Sequence, residues 1–174
     1  MIKKAYFFPI LAVVAVISYV VYFNWGPSPS YEFKDRSQSE ADDTFQLSLA
    51  SPTLSGSTFD SQDYTGKKLI VNYWATWCLP CRAEIPHFIQ LQEAHPDKVQ
   101  IVGVSVDHSV AAILKYVDET PFNYPILLVS PEIDAIFGQV PALPSTFIFD
   151  EEHRLTHYLR GYQPSSLIQS IILN

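Results

Sequence analysis

Residues 74–86 read Trp74-Ala75-Thr76-Trp77-Cys78-Leu79-Pro80-Cys81-Arg82-Ala83-Glu84-Ile85-Pro86, and they hold the only two cysteines of the chain. Upstream, Lys68-Leu69-Ile70-Val71-Asn72-Tyr73-Trp74 is a dense, β-rich apolar run of the kind that forms a buried central strand. Downstream, from Pro80 to about residue 95, Ile85, Phe88, Ile89 and Leu91 recur at helical spacing. The cysteines therefore sit where a buried strand ends and a helix begins. Four unpaired backbone N–H groups and the positive end of the helix dipole point at that place. A thiol there ionises more easily, which makes Cys78 the attacking thiolate. Cys81 follows three residues later on the same helix face, within reach of Cys78 and better shielded from solvent. It is cast as the resolving thiol: a mixed disulfide forms on Cys78, and Cys81 expels it.

Other uses of two close thiols fit less well. A disulfide across two intervening residues closes a very short loop, so its entropic contribution to stability lies near the bottom of the usual range. Zinc wants four ligands, and His87, His95 or others of the five histidines would have to complete the set. None of them shows a compact His-x-x-x-His spacing. Two thiolates are enough for copper(I), and that reading stays open.

Outward from the motif, β-type and helical patterns alternate. Phe45, Leu47 and Leu49 alternate with polar residues as a weak strand, and a second short strand is expected around Thr58 and Phe59 after the turn Ser55-Gly56-Ser57. Residues 99–106 form another buried-strand run, 110–119 a helix, 126–129 a short strand and 132–138 a short helix. Residues 145–149 and 154–159 flank the acidic turn Asp150-Glu151-Glu152 as a hairpin, and an amphipathic helix spans 165–173 behind Pro164. Strands alternating with helices give a mainly parallel sheet covered on both faces, and the hairpin adds an antiparallel edge. The fold class is α/β, with a mixed central sheet flanked by helices.

The chain has 174 residues and a net charge of −7, enough for one domain. Without Lys3 and Lys4, 9 basic residues face 18 acidic ones, and no basic block with interleaved aromatics exists, so nucleic-acid binding is excluded. Residues 5–23 carry no charge. As a helix they reach about 28 Å, close to the ~30 Å of a hydrocarbon core. Pro9 lies near the start, and Tyr19, Tyr22 and Trp25 lie at the far end where interfacial aromatics belong. A cleaved signal peptide would show a shorter apolar run and a small-x-small pair at its end. The sequence thus predicts an uncleaved anchor over 1–25, a Pro/Ser-rich polar tether over 26–44, and a folded domain over 45–174. Lys3 and Lys4 precede the span and no basic cluster follows closely, which places the domain outside the cytoplasm.

Residues 74–86, together with Gly66-Lys67-Lys68, Val102-Gly103-Val104-Ser105-Val106-Asp107 and Leu143-Pro144-Ser145-Thr146-Phe147, closely resemble the thioredoxin superfamily. The resemblance covers about residues 45–173 and is narrower to the membrane-anchored TlpA/ResA-like branch, which includes the CcmG (DsbE) proteins. It implies a thioredoxin-like fold and a cis Leu143–Pro144 bond facing the cysteine pair, with the Leu143 backbone free to bond an extended substrate. It implies that Glu84 relays the proton released as Cys81 attacks, since Asn72 stands where cytoplasmic-type thioredoxins keep a titrating Asp. Trp74 and Trp77 are expected to pack around the site rather than react, with Trp77 on the substrate side, and Pro86 to kink its helix. Room between Asp107 and Pro144 for an extra helix and strand favours this branch over a minimal thioredoxin. The run Gln139-Val140-Pro141-Ala142 departs from the acidic residue and Gly that CcmG proteins tend to carry there.

The expected activity is that of a membrane-anchored, extracytoplasmic thiol–disulfide oxidoreductase on the bacterial cytoplasmic membrane, with no cofactor. The resemblance implies reduction of disulfides in exported proteins, apocytochrome c foremost, with electrons from a membrane donor of DsbD or CcdA type. A disulfide oxidase or isomerase of the same fold, and a copper(I) metallochaperone, are the rival functions.

Overall fold

The computed structural model describes residues 46–173. The expected anchor, the tether and Phe45 lie outside the described residues. Among the described residues, no helix is long and apolar enough to cross a membrane.

The central sheet has five strands in the order β5-β4-β3-β6-β7. They are β3 (Lys68–Trp74), β4 (Val99–Ser105), β5 (Ile126–Leu128), β6 (Ser145–Phe149) and β7 (Leu155–Arg160). β3 runs parallel to β4, and β4 to β5, whereas β6 is antiparallel to both β3 and β7. The expected mixed sheet and its antiparallel hairpin are both present. The helices are α1 (Leu79–Ala94), α2 (Val110–Glu119), α3 (Pro131–Phe137) and α4 (Ser165–Leu173).

Strand β3 is buried on both faces, and its period of two divides the core. Leu69, Val71 and Tyr73 join Val102, Val104, Phe147 and Phe149 on one side, closed by Phe59 and by Ile133 of α3. Ile70 turns the other way to Phe88, Leu91, Ile168 and Ile172 of α1 and α4. Trp74, also on that side, packs with Ile85 of α1 and Ile113 of α2 around the two cysteines.

The N-terminal region departs from the expected alternation. Leu47 and Leu49 are buried as their spacing predicted, but the strand proper, β1 (Ala50–Pro52), begins beyond them and pairs with β2 (Thr58–Asp60). The two leucines bond elsewhere. Leu47 N–H donates to the His153 carbonyl, and Leu49 N–H to Ser61 Oγ. The sequence also gave no sign of the 3-10 turn Ser61–Tyr64, which Asp60 caps by accepting from Gln62 N–H.

Gly103 in β4 is required by a close approach. A Cβ built there would lie 3.0 Å from Trp74 Nε1 and 3.5 Å from Tyr124 Cε2. Because Trp74 lies against the cysteines, crowding it disturbs both core and site. Gly103→Ala is expected to lower stability by about 1–3 kcal/mol, the usual cost of overpacking, as read by urea unfolding.

Candidate active site

The register of the sheet builds the site. Tyr73 pairs with Ser145 across β3 and β6, so the chain preceding Ser145 runs past the end of β3 towards the cysteines. On the other side Trp74 pairs with Ser105, and Val106 N–H donates to the Trp74 carbonyl. The loop from Ala75 to Cys78 is thus held between the ends of two neighbouring strands. Asp107 pins it. Its carboxylate accepts from Thr76 N–H at 2.8 Å, from Thr76 Oγ1 at 2.7 Å and from Ser105 Oγ at 2.9 Å. Only its place as a carboxylate just past a buried strand marks Asp107 in the sequence; its pinning role follows from the fold. Asp107→Ala removes a charged acceptor from three donors and is expected to cost about 2–4 kcal/mol in urea unfolding, on the scale of hydrogen bonds to charged groups.

Cys78 is the N-cap of α1, and its Sγ accepts from Cys81 N–H at 3.3 Å. Pro80 stands in the first turn, where its missing N–H costs nothing. Cys78 and Cys81 form a disulfide with a Cα–Cα distance of 5.3 Å. Both sulfur residues are buried, Cys78 at 5% exposure and Cys81 at 1%. Their neighbours are not: Trp77 is 67% exposed and Leu79 73%. Trp74 packs against the two cysteines, whereas Trp77 is exposed and lines the groove beside Cys78. Pro86 lies inside α1.

A groove opens beside Cys78. It is lined by Trp77, Pro80, Val106, Val129, Val140 and Leu143. Leu143–Pro144 is cis. Neither the N–H nor the carbonyl of Leu143 has a backbone partner among the described residues, which leaves both available to an extended chain. Asp134 of α3 also lines the groove, as does His108. The insertion between Asp107 and Pro144 thus contributes His108, Val129 and Asp134 to the groove, which periodicity along the chain does not reveal.

Glu84 is the buried acid of the site, only 1% exposed on α1. Its Oε1 accepts from Gln163 N–H at 2.6 Å, and its Oε2 has no partner. Burial pushes its pKa up to about 7, with the Gln163 bond pulling the other way. One turn separates it from Cys81. Asn72, at the position where a titrating Asp was noted to be missing, is buried and donates to Thr146 Oγ1 at 3.0 Å. Among the described residues, no three His, Cys, Asp or Glu side chains gather as a metal site.

A buried cysteine pair joined as a disulfide at the strand-to-helix junction, a cis-proline across from it and a mixed sheet define a thioredoxin-fold thiol–disulfide oxidoreductase. The chain belongs to the AhpC/TSA family, whose model matches residues 40–158. It is 35% identical over 145 residues to the thioredoxin-like protein YneN of Bacillus subtilis, covering 82% of this chain and 84% of that one. It is 26% identical over 121 residues to the thiol-disulfide oxidoreductase ResA of Bacillus thuringiensis, covering 68% of this chain and 69% of the relative. Among solved structures it resembles a thioredoxin-family thiol:disulfide interchange protein of Chlorobium tepidum. The TM-score there is 0.69 at 28% identity, over 74% of this chain and 92% of that one.

Proposed function

We propose that this oxidoreductase works as a reductant of disulfides in exported proteins, held to the outer side of the cytoplasmic membrane by residues 1–25. Apocytochrome c is the leading substrate, and a membrane protein of DsbD or CcdA type returns the electrons. The observation that carries the reading is the pairing of an open groove at Cys78 with a buried acid one turn from Cys81. A substrate segment lies extended in the groove against the Leu143 backbone. The Cys78 thiolate attacks its disulfide, one substrate thiolate leaves, and a mixed disulfide remains on Cys78. Glu84 then takes the proton of Cys81, whose thiolate attacks the Cys78 sulfur and frees the second substrate thiolate. Two electrons pass from the dithiol to the substrate. The reductive direction rests on the resemblance to the TlpA/ResA-like branch, since extracytoplasmic compartments otherwise favour disulfide formation.

The test uses the reduced full chain and a peptide in which a Cys-x-x-Cys-His segment is oxidised. Stoichiometric peptide reduction, with Cys78 and Cys81 ending as a disulfide, is the expected result. Tight binding of one copper(I) per chain without peptide reduction would replace the oxidoreductase with a metallochaperone.

A further inference from the structure

The turn at residues 161–163 has no part in the exchange steps above, yet it touches both halves of the site. Gln163 N–H donates to Glu84 Oε1 at 2.6 Å. The Gln163 side chain donates to the carbonyls of Arg160 and Gly161 at 3.1 and 3.3 Å, which closes the turn on itself. Gly161, at a positive φ of 76°, donates its N–H to the Pro144 carbonyl at 2.7 Å. On the far side, Ser145 pairs with Arg160 and its hydroxyl donates to the Ala142 carbonyl at 2.8 Å. One short turn and a hydrogen bond at each end therefore span the distance from the buried carboxylate to the cis-proline loop.

We infer that this turn is a strut through which the charge on Glu84 sets the position of the cis-proline loop, making Gly161 and Gln163 positioning residues for thiol exchange. The inference rests on the reading of Glu84 as the acceptor of the Cys81 proton. An N–H bond to a carboxylate is roughly twice as strong as one to a neutral acid. When Cys81 gives its proton to Glu84 and attacks the Cys78 sulfur, the Cys81–Cys78 bond forms and the Cys78–substrate bond breaks. The same proton weakens the hold on Gln163 N–H, and the turn is free to move with Pro144 as the product leaves. The loop is tight while Glu84 is ionised and slack while Glu84 holds the proton taken from Cys81.

Few other charges act on Glu84. Cys81 lies on its own helix, and Tyr124 faces it from the segment before β5, its phenol raised by burial first and then by Tyr116 and Glu84, so it stays neutral. β4 and α4, which pack against α1, present no ionisable side chain, and exposed Arg160 and Tyr162 border the turn.

The test is an amide NMR titration of the full chain in its disulfide form, in which Cys81 carries no proton. The Gln163 and Gly161 amide protons are expected to move together with a midpoint near that of Glu84, about 7, and to stop moving in Glu84→Gln. A Gln163 amide that titrates while Gly161 and residues 143–145 stay still would overturn the strut. Peptide turnover supplies a second readout. Gln163→Pro, which lacks the N–H, is expected to raise the pH inflection by about one unit, a tenfold change in proton affinity, while Gln163→Ala keeps it in place. Equal inflections in the two variants would also overturn the strut, and if the proline variant does not fold, the titration decides. Joint titration of both amides without any peptide turnover would sink the proposed reductase and leave the strut standing.

Discussion

With Cys81→Ser, exchange stops halfway: Cys78 stays joined to the substrate cysteine as a covalent complex that dithiothreitol dissolves. The reason lies in the division of labour between the two sulfurs. Cys78 caps α1 beside the groove, and Cys81 lies behind it, within bonding distance of Cys78 and shut off from solvent. Removing Cys81 leaves the attack intact and deletes the only internal thiol that can release the product. Multiple turnover is expected to fall by about 10³-fold or more, on the scale seen when a member of a covalent catalytic unit is lost. Cys78→Ser is expected to lose turnover equally but to form no complex. Non-reducing gels and mass spectrometry separate the two outcomes. Complex formation by Cys78→Ser, through Cys81, would reverse the assignment.

Glu84→Gln is expected to slow release of the mixed disulfide by about 10²-fold at neutral pH, the lower end of the range for general acid–base groups. Gln keeps an acceptor for Gln163 N–H and cannot take the Cys81 proton, so the fold persists while the relay is lost. The pH profile of the release step should lose its inflection near 7. A stability signature accompanies it. In the folded protein Glu84 keeps its proton up to about 7, against 4.5 for the free group. Between those values the folded state binds more protons than the unfolded one, so stability falls as pH rises. The contribution is complete below 4.5 and is lost as pH passes 7, a change of about 3 kcal/mol for a shift of this size. Subtracting the urea-unfolding curve of Glu84→Gln from that of the unaltered chain across pH 4–8 isolates the effect. A flat difference would show that Glu84 is ionised throughout and that another group takes the proton.

Much of this site was legible because short-range rules govern it. Residues 68–74 could only be a buried strand, and a helix signal beginning at Pro80 put the cysteines at its N-terminus whatever the rest of the chain did. Glu84 was visible as a helix-face partner of Cys81, but its burial was not, because that depends on Gln163, which lies 79 residues away. Trp77 was legible as a neighbour of the cysteines, but its exposure at the groove was not, because the direction of the loop after β3 sets it. The groove wall from α3 to Leu143 and the pinning role of Asp107 likewise follow from register across the sheet, which periodicity along the chain does not carry. The early leucines show the same limit: Leu47 and Leu49 announced their burial but not their hydrogen-bond partners.

The reduction potential of the Cys78–Cys81 pair, measured in the full chain by equilibration against dithiothreitol and glutathione, bears most directly on a reductive role. A midpoint near that of thioredoxin, about −270 mV, is the expected result for a reductant. A midpoint near about −120 mV, where strong disulfide donors lie, would contradict it and make the chain an oxidase on the same fold.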